Sequence, residues 1–204
     1  MRDQVHVVRG PGSSPDQIRI AVRDLLGGST EPVFVTRASA DQYEAVVRSV
    51  PEAVYHPRSG LVVVRPSSDP PVGRVAVVSA GTSDLPVAEE AARAGEALAL
   101  EVTCLPDVGV AGLHRLLDVR SSLEQARCVV AIAGMEGALP SVIAGLVSRP
   151  VVAVPTSIGY GSSLGGLAAL SGMLSASALG LGVVEVDGGL AAAVLARRIL
   201  RSGV

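Results

Sequence analysis

Four short stretches concentrate the residue types that can hold or transform a small anionic ligand. The first is Gly81-Thr82-Ser83-Asp84, where glycine permits a tight turn. Two hydroxyls and the first free N–H groups of a following helix suit a phosphate or a ribose hydroxyl there. Helix capping alone accounts for the same residues, because Ser, Thr and Asp are preferred at N-caps. The second stretch runs from Asp107 to Arg115 and includes Gly109 and His114. The planar fork of Arg115 can bind two oxygens at once, whereas a lone helical histidine is more often structural. The third, Gly134-Met135-Glu136-Gly137-Ala138-Leu139-Pro140, sets a carboxylate between glycines. Semi-buried beside a ligand, Glu136 would have a raised pKa and act as a general base; in solvent it is a cap or a loop charge. The fourth, Pro155-Thr156-Ser157-Ile158-Gly159-Tyr160-Gly161-Ser162 with Gly165 and Gly166 beyond it, is spaced GxGxxxG rather than GxGxxG. Its glycines admit a ligand close to the backbone, or equally a packed helix.

Other chemistries are absent. All 17 basic residues are arginines, so a P-loop lysine, a Schiff base and a Ser/Lys site are excluded. There is no HExxH and no GxSxG elbow, and His6, His56 and His114 are far apart, so no metal site or hydrolase triad is predicted. A formal net charge of −2 without a basic run, and only Phe34, Tyr43, Tyr55 and Tyr160 for stacking, argue against nucleic acid as a partner. Cys104 and Cys128 form neither a CxxC pair nor a disulfide framework, which predicts a reducing cytoplasm, and both read as small buried core residues. No leader pattern stands at residues 1–10. Mean hydropathy is high at +0.47, yet every apolar stretch breaks before the roughly 18 residues of a membrane span. No membrane partner is predicted, and the surplus apolar surface is expected to meet other subunits.

The elements that must position these stretches are legible. Residues 5–65 carry three β-like runs, Val5 to Val8, Val33 to Thr36 and Leu61 to Val64. Between them, Ser14 with Gln17 and Ser39 with Gln42 match the capping box, and Gly27 suits the position after a helix. This is a small N-terminal α/β segment (1–65). Pro66-Ser67-Ser68-Asp69-Pro70-Pro71 cannot hold a hydrogen-bond ladder, which places a linker over 66–73. Beyond it, apolar runs at 74–79, 100–104, 128–133, 151–154 and 183–186 alternate with helix-length segments. Such runs read as strands buried on both faces and joined by parallel crossovers, so 74–204 is predicted to be a three-layer α/β fold around a doubly wound parallel sheet. In that fold ligands bind beyond the carboxyl ends of the strands, where all four stretches fall.

Taken together, GTSDLPVAEEA at 81–91, DVGVAGLHRLL at 107–117, GMEGALPSVIAGL at 134–146 and PVVAVPTSIGYGSSLGGLAAL at 150–170 resemble the LarB family. VVRGPGSSPDQI at 7–18 and VTRAS at 35–39 extend the resemblance more loosely to the front. LarB proteins serve nickel-pincer nucleotide biosynthesis and carry a domain like PurE, the aminoimidazole ribonucleotide carboxylase or mutase.

The resemblance implies a flavodoxin-like fold, a homo-oligomer that is an octamer in PurE-type proteins, and no tightly bound cofactor. It implies a carboxylase that adds CO₂ to carbon 5 of the pyridinium ring of nicotinic acid adenine dinucleotide and hydrolyses the phosphoanhydride to release AMP. CO₂ or bicarbonate is then a co-substrate, with Mg²⁺ an optional aid to anhydride cleavage. In the family a cysteine thiolate adds to the ring and makes it an enamine, and a glutamate removes the ring proton. Glu136 matches that glutamate. Ser175-Ala176-Ser177-Ala178 stands where the family has Asn-Ser-Cys-Ala, so Ser177 occupies the nucleophile's place. An alcohol yields almost no alkoxide at neutral pH without a strong base beside it, unlike a thiol of pKa near 8.5. The nucleotide would lie on Gly81, Thr82, Ser83, Asp84, Asp107, Gly109, His114, Arg115, Gly134, Met135, Gly137, Pro155, Thr156, Gly159, Tyr160, Gly161 and Ser162. Two other readings stay open: a PurE-like carboxylase or mutase acting on an aminoimidazole nucleotide, and a nucleotide-binding homologue without turnover.

Overall fold

The computed structural model describes residues 5–158 and 164–203. Two capping boxes organise its first part. Ser14 and Ser39 each accept a hydrogen bond from the backbone N–H of Gln17 and Gln42, whose side chains bond back to the cap N–H. They start α1 (Pro15–Gly28) and α2 (Ala40–Val47). The first helix continues through Gly27, and its C-cap is Ser29 in extended conformation, so Gly27 is not the stop that the sequence suggests. These helices cover one face of a four-stranded sheet in the order β1 (His6–Arg9), β2 (Val33–Thr36), β4 (Leu61–Val64), β3 (Val54–His56). The hairpin strand β3 is absent from the sequence reading; Val54 is half exposed, and three residues give no periodicity to detect.

The larger sheet is parallel throughout, in the order β6 (Glu101–Leu105), β5 (Arg74–Ser79), β7 (Cys128–Ala133), β8 (Val151–Pro155), β9 (Leu181–Val183). Side chains of β7 alternate between two cores, Val129, Ala131 and Ala133 on one face, Cys128, Val130 and Ile132 on the other. The first core is closed by α4 (Leu113–Asp118), α5 (Arg120–Gln125), α6 (Ala138–Leu146) and α7 (Leu167–Leu174). The second is closed by α3 (Leu85–Ala97) and α8 (Gly189–Arg201). This is the three-layer, doubly wound α/β fold. Its edge strands differ from expectation: β6 and β9 are only partly buried, and β9 begins and ends earlier than the run at 183–186. An edge strand has one neighbour and a shallower layer above it, so its apolar run does not imply burial on both faces. Cys104 is therefore exposed on β6, contrary to the core role expected of it, whereas Cys128 is buried.

The two sheets share a third apolar layer. Phe34, Leu61 and Val63, on the face of the first sheet away from α1 and α2, pack against Ala94 and Ala97 of α3, Leu98 just after it, and Leu190 and Ala193 of α8. No helix among the described residues is long and apolar enough to cross a membrane.

Candidate active site

The chain leaves β5 for β6 on one side and returns to β7 on the other, which opens a crevice at the carboxyl ends of the strands. Each loop there is tied to the neighbouring strand by backbone bonds: Ala80 N to Ile132 O (3.0 Å), Val108 N to Ser79 O (3.1 Å), Thr156 N to Ala133 O (3.0 Å) and Asp187 N to Pro155 O (2.8 Å). The loops after β6, β7, β8 and β9 each hold a non-glycine residue in the left-handed region, namely Asp107, Met135, Leu164 and Asp187, with φ between 46° and 57°. Such conformations cost roughly 1–3 kcal/mol each, persist only where surroundings impose them, and cluster in ligand loops.

Asp84 and Thr156 join the first and fourth stretches. Thr156 Oγ1 donates to Asp84 Oδ1 at 2.8 Å, and the Gly81 N–H donates to Oδ2 at 3.0 Å. Asp84 is 3% exposed and Thr156 fully buried. Burial pushes the Asp84 carboxyl above the usual carboxylate range, against the opposing pull of its hydrogen bonds. Neither side chain faces solvent; together they form the floor of the crevice. Thr82 and Ser83, in the short 3-10 turn before α3, are exposed above it.

Glycine packing places the acidic loop. Gly137, at φ 70°, caps α6, and a Cβ on it would lie 2.6 Å from Ala169 O of α7. A Cβ on Gly172 would lie 2.1 Å from the Glu136 carbonyl oxygen, and one on Gly134 2.2 Å from Ile158 O. The segment 134–137 is thus wedged between α7 and the loop after β8. Glu136 and Ser177 are both exposed. The helix that touches the Glu136 backbone ends at Leu174, and the chain beyond it carries Ser177, with Ala176 N bonded to Met173 O at 3.3 Å.

In the second stretch Arg115 pairs with Asp107, and His114 is exposed. Gly109 sits under Ala80 O, where a Cβ would meet it at 2.7 Å. Gly159, Tyr160, Gly161 and Ser162 lie outside the described residues. The sequence reading missed two groups here. Asp187 accepts the Ser157 N–H at 2.7 Å. Glu90, 4% exposed in α3, accepts from Thr36 Oγ1 and from the Leu190 N–H at 3.2 Å, tying the first sheet to the start of α8. Burial raises its pKa. Both read as ordinary loop or helix acids in sequence. No cluster of three or more His, Cys, Asp or Glu able to hold a metal ion occurs among the described residues.

Leu167 and Leu174 of α7, with Leu164 before it and Leu179 after it, are 52%, 69%, 74% and 92% exposed in the single chain.

Comparison with known proteins matches residues 74–203 to the AIR carboxylase family and residues 5–66 to the LarB/PurE-like N-terminal domain. An uncharacterized protein of Methanocaldococcus jannaschii is 44% identical over 132 residues, 64% of this chain and 50% of that protein. The N5-carboxyaminoimidazole ribonucleotide mutase of the same organism is 32% identical over 130 residues, 62% of this chain and 78% of that protein. The chain thus spans half the length of the first relative and about four fifths of the second.

Proposed function

The chain belongs to the LarB family of AIR-carboxylase-like, PurE-like proteins, and from that premise we propose that it carboxylates the pyridinium ring of nicotinic acid adenine dinucleotide and releases AMP. PurE-like members are carboxylases and mutases, and this chain shares that framework. One observation carries the finer reading: the loop of Glu136 is wedged against α7, the helix whose continuation bears Ser177. The acid follows the carboxyl end of β7, and the hydroxyl lies on the segment that runs from α7 into the start of β9.

In this reading Ser177 Oγ passes its proton to water as it bonds to a ring carbon, and the ring electrons collect as an enamine. Carbon 5 attacks CO₂, Glu136 takes the proton from carbon 5, and expulsion of the Ser177 oxygen restores the pyridinium. Positioning supplies most of the rate, since reacting groups held in order avoid the entropy of a bimolecular encounter. The weak step is the first, because an alcohol is a poor nucleophile at neutral pH. Exposed Leu164, Leu167, Leu174 and Leu179 support self-association as part of this reading.

The test incubates the chain with the dinucleotide and bicarbonate and weighs the products. Turnover gives AMP and a ring-carboxylated mononucleotide; Ser177→Cys raises the rate by at least tenfold, and Glu136→Gln abolishes it. An unchanged rate in Ser177→Cys refutes the nucleophile's assignment. The likeness to the mutase favours one other reading, carboxylation or carboxyl migration on an aminoimidazole ribonucleotide, whose electron-rich ring needs no covalent nucleophile. Activity on that nucleotide, indifferent to Ser177→Ala, would establish it instead.

A further inference from the structure

A second cavity stands apart from the loops of Glu136 and Asp84. It lies between the first sheet and α8, with a volume of about 730 Å³, inside the roughly 300–1,000 Å³ span of ligand pockets. Two apolar walls face each other across it. In β1, Val7 and Arg9 are two apart and share a face. In α8, Ala191, Val194, Leu195 and Arg198 follow the i, i+3, i+4, i+7 spacing of one helix stripe. Each wall is thus a run of aliphatic side chains that ends in a guanidinium.

A third guanidinium comes from Arg37, just after β2. Its backbone is left-handed at φ 54°, and its Nη2 donates to Val186 O at 3.3 Å. Three acids also line the cavity: Glu185, Asp187 and the buried Glu90, which is bonded to Thr36 and the Leu190 N–H and feels the charge of Arg37. None of Arg9, Arg37 and Arg198 forms an ion pair with a described carboxylate, although acids stand in the same cavity. Arginines and carboxylates kept apart between apolar walls complement a ligand that brings both oxyanions and hydroxyl donors.

We propose that this cleft binds a nucleoside monophosphate. The phosphate lies between guanidiniums, which bind oxyanions in a bidentate fork. The vicinal ribose hydroxyls donate to Glu185 and Asp187, as sugar diols do to acids in dinucleotide folds. The base is held between Val7 and the Val194 and Leu195 side of α8. Asp187 also holds the Ser157 N–H, so the cleft adjoins the crevice at the strand ends. The inference rests on the proposed reaction only for the choice of base, since the nucleotide released there is AMP.

The experiment is calorimetric titration of the full chain with AMP and, separately, with inorganic phosphate. AMP is expected to bind at least tenfold more tightly than phosphate. Arg9→Ala and Arg198→Ala each weaken AMP at least tenfold, while Arg120→Ala, on α5 and outside the cavity lining, changes it less than twofold. Arg198→Glu, at an exposed position, serves if an alanine variant fails to fold. AMP affinity within twofold of the original chain in the arginine variants, no AMP binding at millimolar concentration, or equal affinity for phosphate overturns the proposal. Carboxylation with arginine-independent AMP binding sinks this inference alone. Arginine-dependent AMP binding without turnover upholds it and sinks the reaction.

Discussion

Gly172→Ala tests whether the acidic loop is wedged by α7. In a helix interior, glycine to alanine ordinarily stabilises by about 0.5–1 kcal/mol through backbone entropy. At Gly172 the new methyl would sit 2.1 Å from the Glu136 carbonyl oxygen, where ordinary contact starts at 3.4 Å, a shortfall of about 1.3 Å. The oxygen belongs to backbone, so neither partner can rotate away. Overpacking of this kind costs roughly 1–3 kcal/mol, which cancels or outweighs the entropic gain. Gly145→Ala in α6 is the internal control, because nothing lies within 4 Å of its Cβ. The two variants should differ by about 1–3 kcal/mol, or roughly 2–12 °C in Tm for a chain of this size, with Gly145→Ala the more stable. Gly172→Ala should also lose catalytic rate by about 100-fold, the cost of misplacing a reacting group by about an ångström. Thermal unfolding by circular dichroism and AMP release supply the two readings. Equal Tm values with undiminished turnover would show that the contact does not set the loop.

Three further outcomes are expected. Thr156→Val keeps the shape but removes a buried donor from Asp84, and urea titration should show a loss of about 1–3 kcal/mol; a change under about 0.3 kcal/mol contradicts the geometry. Burial raises the Glu90 carboxyl above its ordinary 4.5, so the folded chain holds that proton more tightly than the unfolded chain. Its contribution is therefore fully present below about 4.5 and declines as pH rises through the higher folded value. The stability of the original chain relative to Glu90→Gln should accordingly fall over that window, and parallel urea midpoints would refute the sign. With a thiol reagent the native chain should label one cysteine, the exposed Cys104, slowly at neutral pH because burial and nearby Glu96 raise its pKa. Cys128, buried and pushed up to about 12, should label only on unfolding, and two fast thiols in the native chain would contradict the fold.

The central layers were legible because their signals are local. Two reciprocal capping boxes and unbroken apolar runs mark α1, α2, β5, β7 and β8 within a few residues. Edge strands carry weaker signals: β9 is short, and Leu181-Gly182-Val183 scarcely resembles a buried run. At the site, sequence order placed Glu136 and Asp84 at strand ends, but it did not distinguish a carboxylate turned inward under Thr156 from one turned towards ligand. That distinction depends on a contact between residues far apart in the chain. The cleft at Arg9, Arg37 and Arg198 was invisible for the same reason, since its walls meet only when the first and last elements come together.

The apolar layer between the two sheets sets what each part can do in isolation. Expression of residues 74–204 alone would strip Phe34, Leu61 and Val63 from α3 and α8, leaving Ala94, Ala97, Leu98, Leu190 and Ala193 in water. The severed fragment would seek a greasy replacement and aggregate, unless polar substitutions first made that scar soluble.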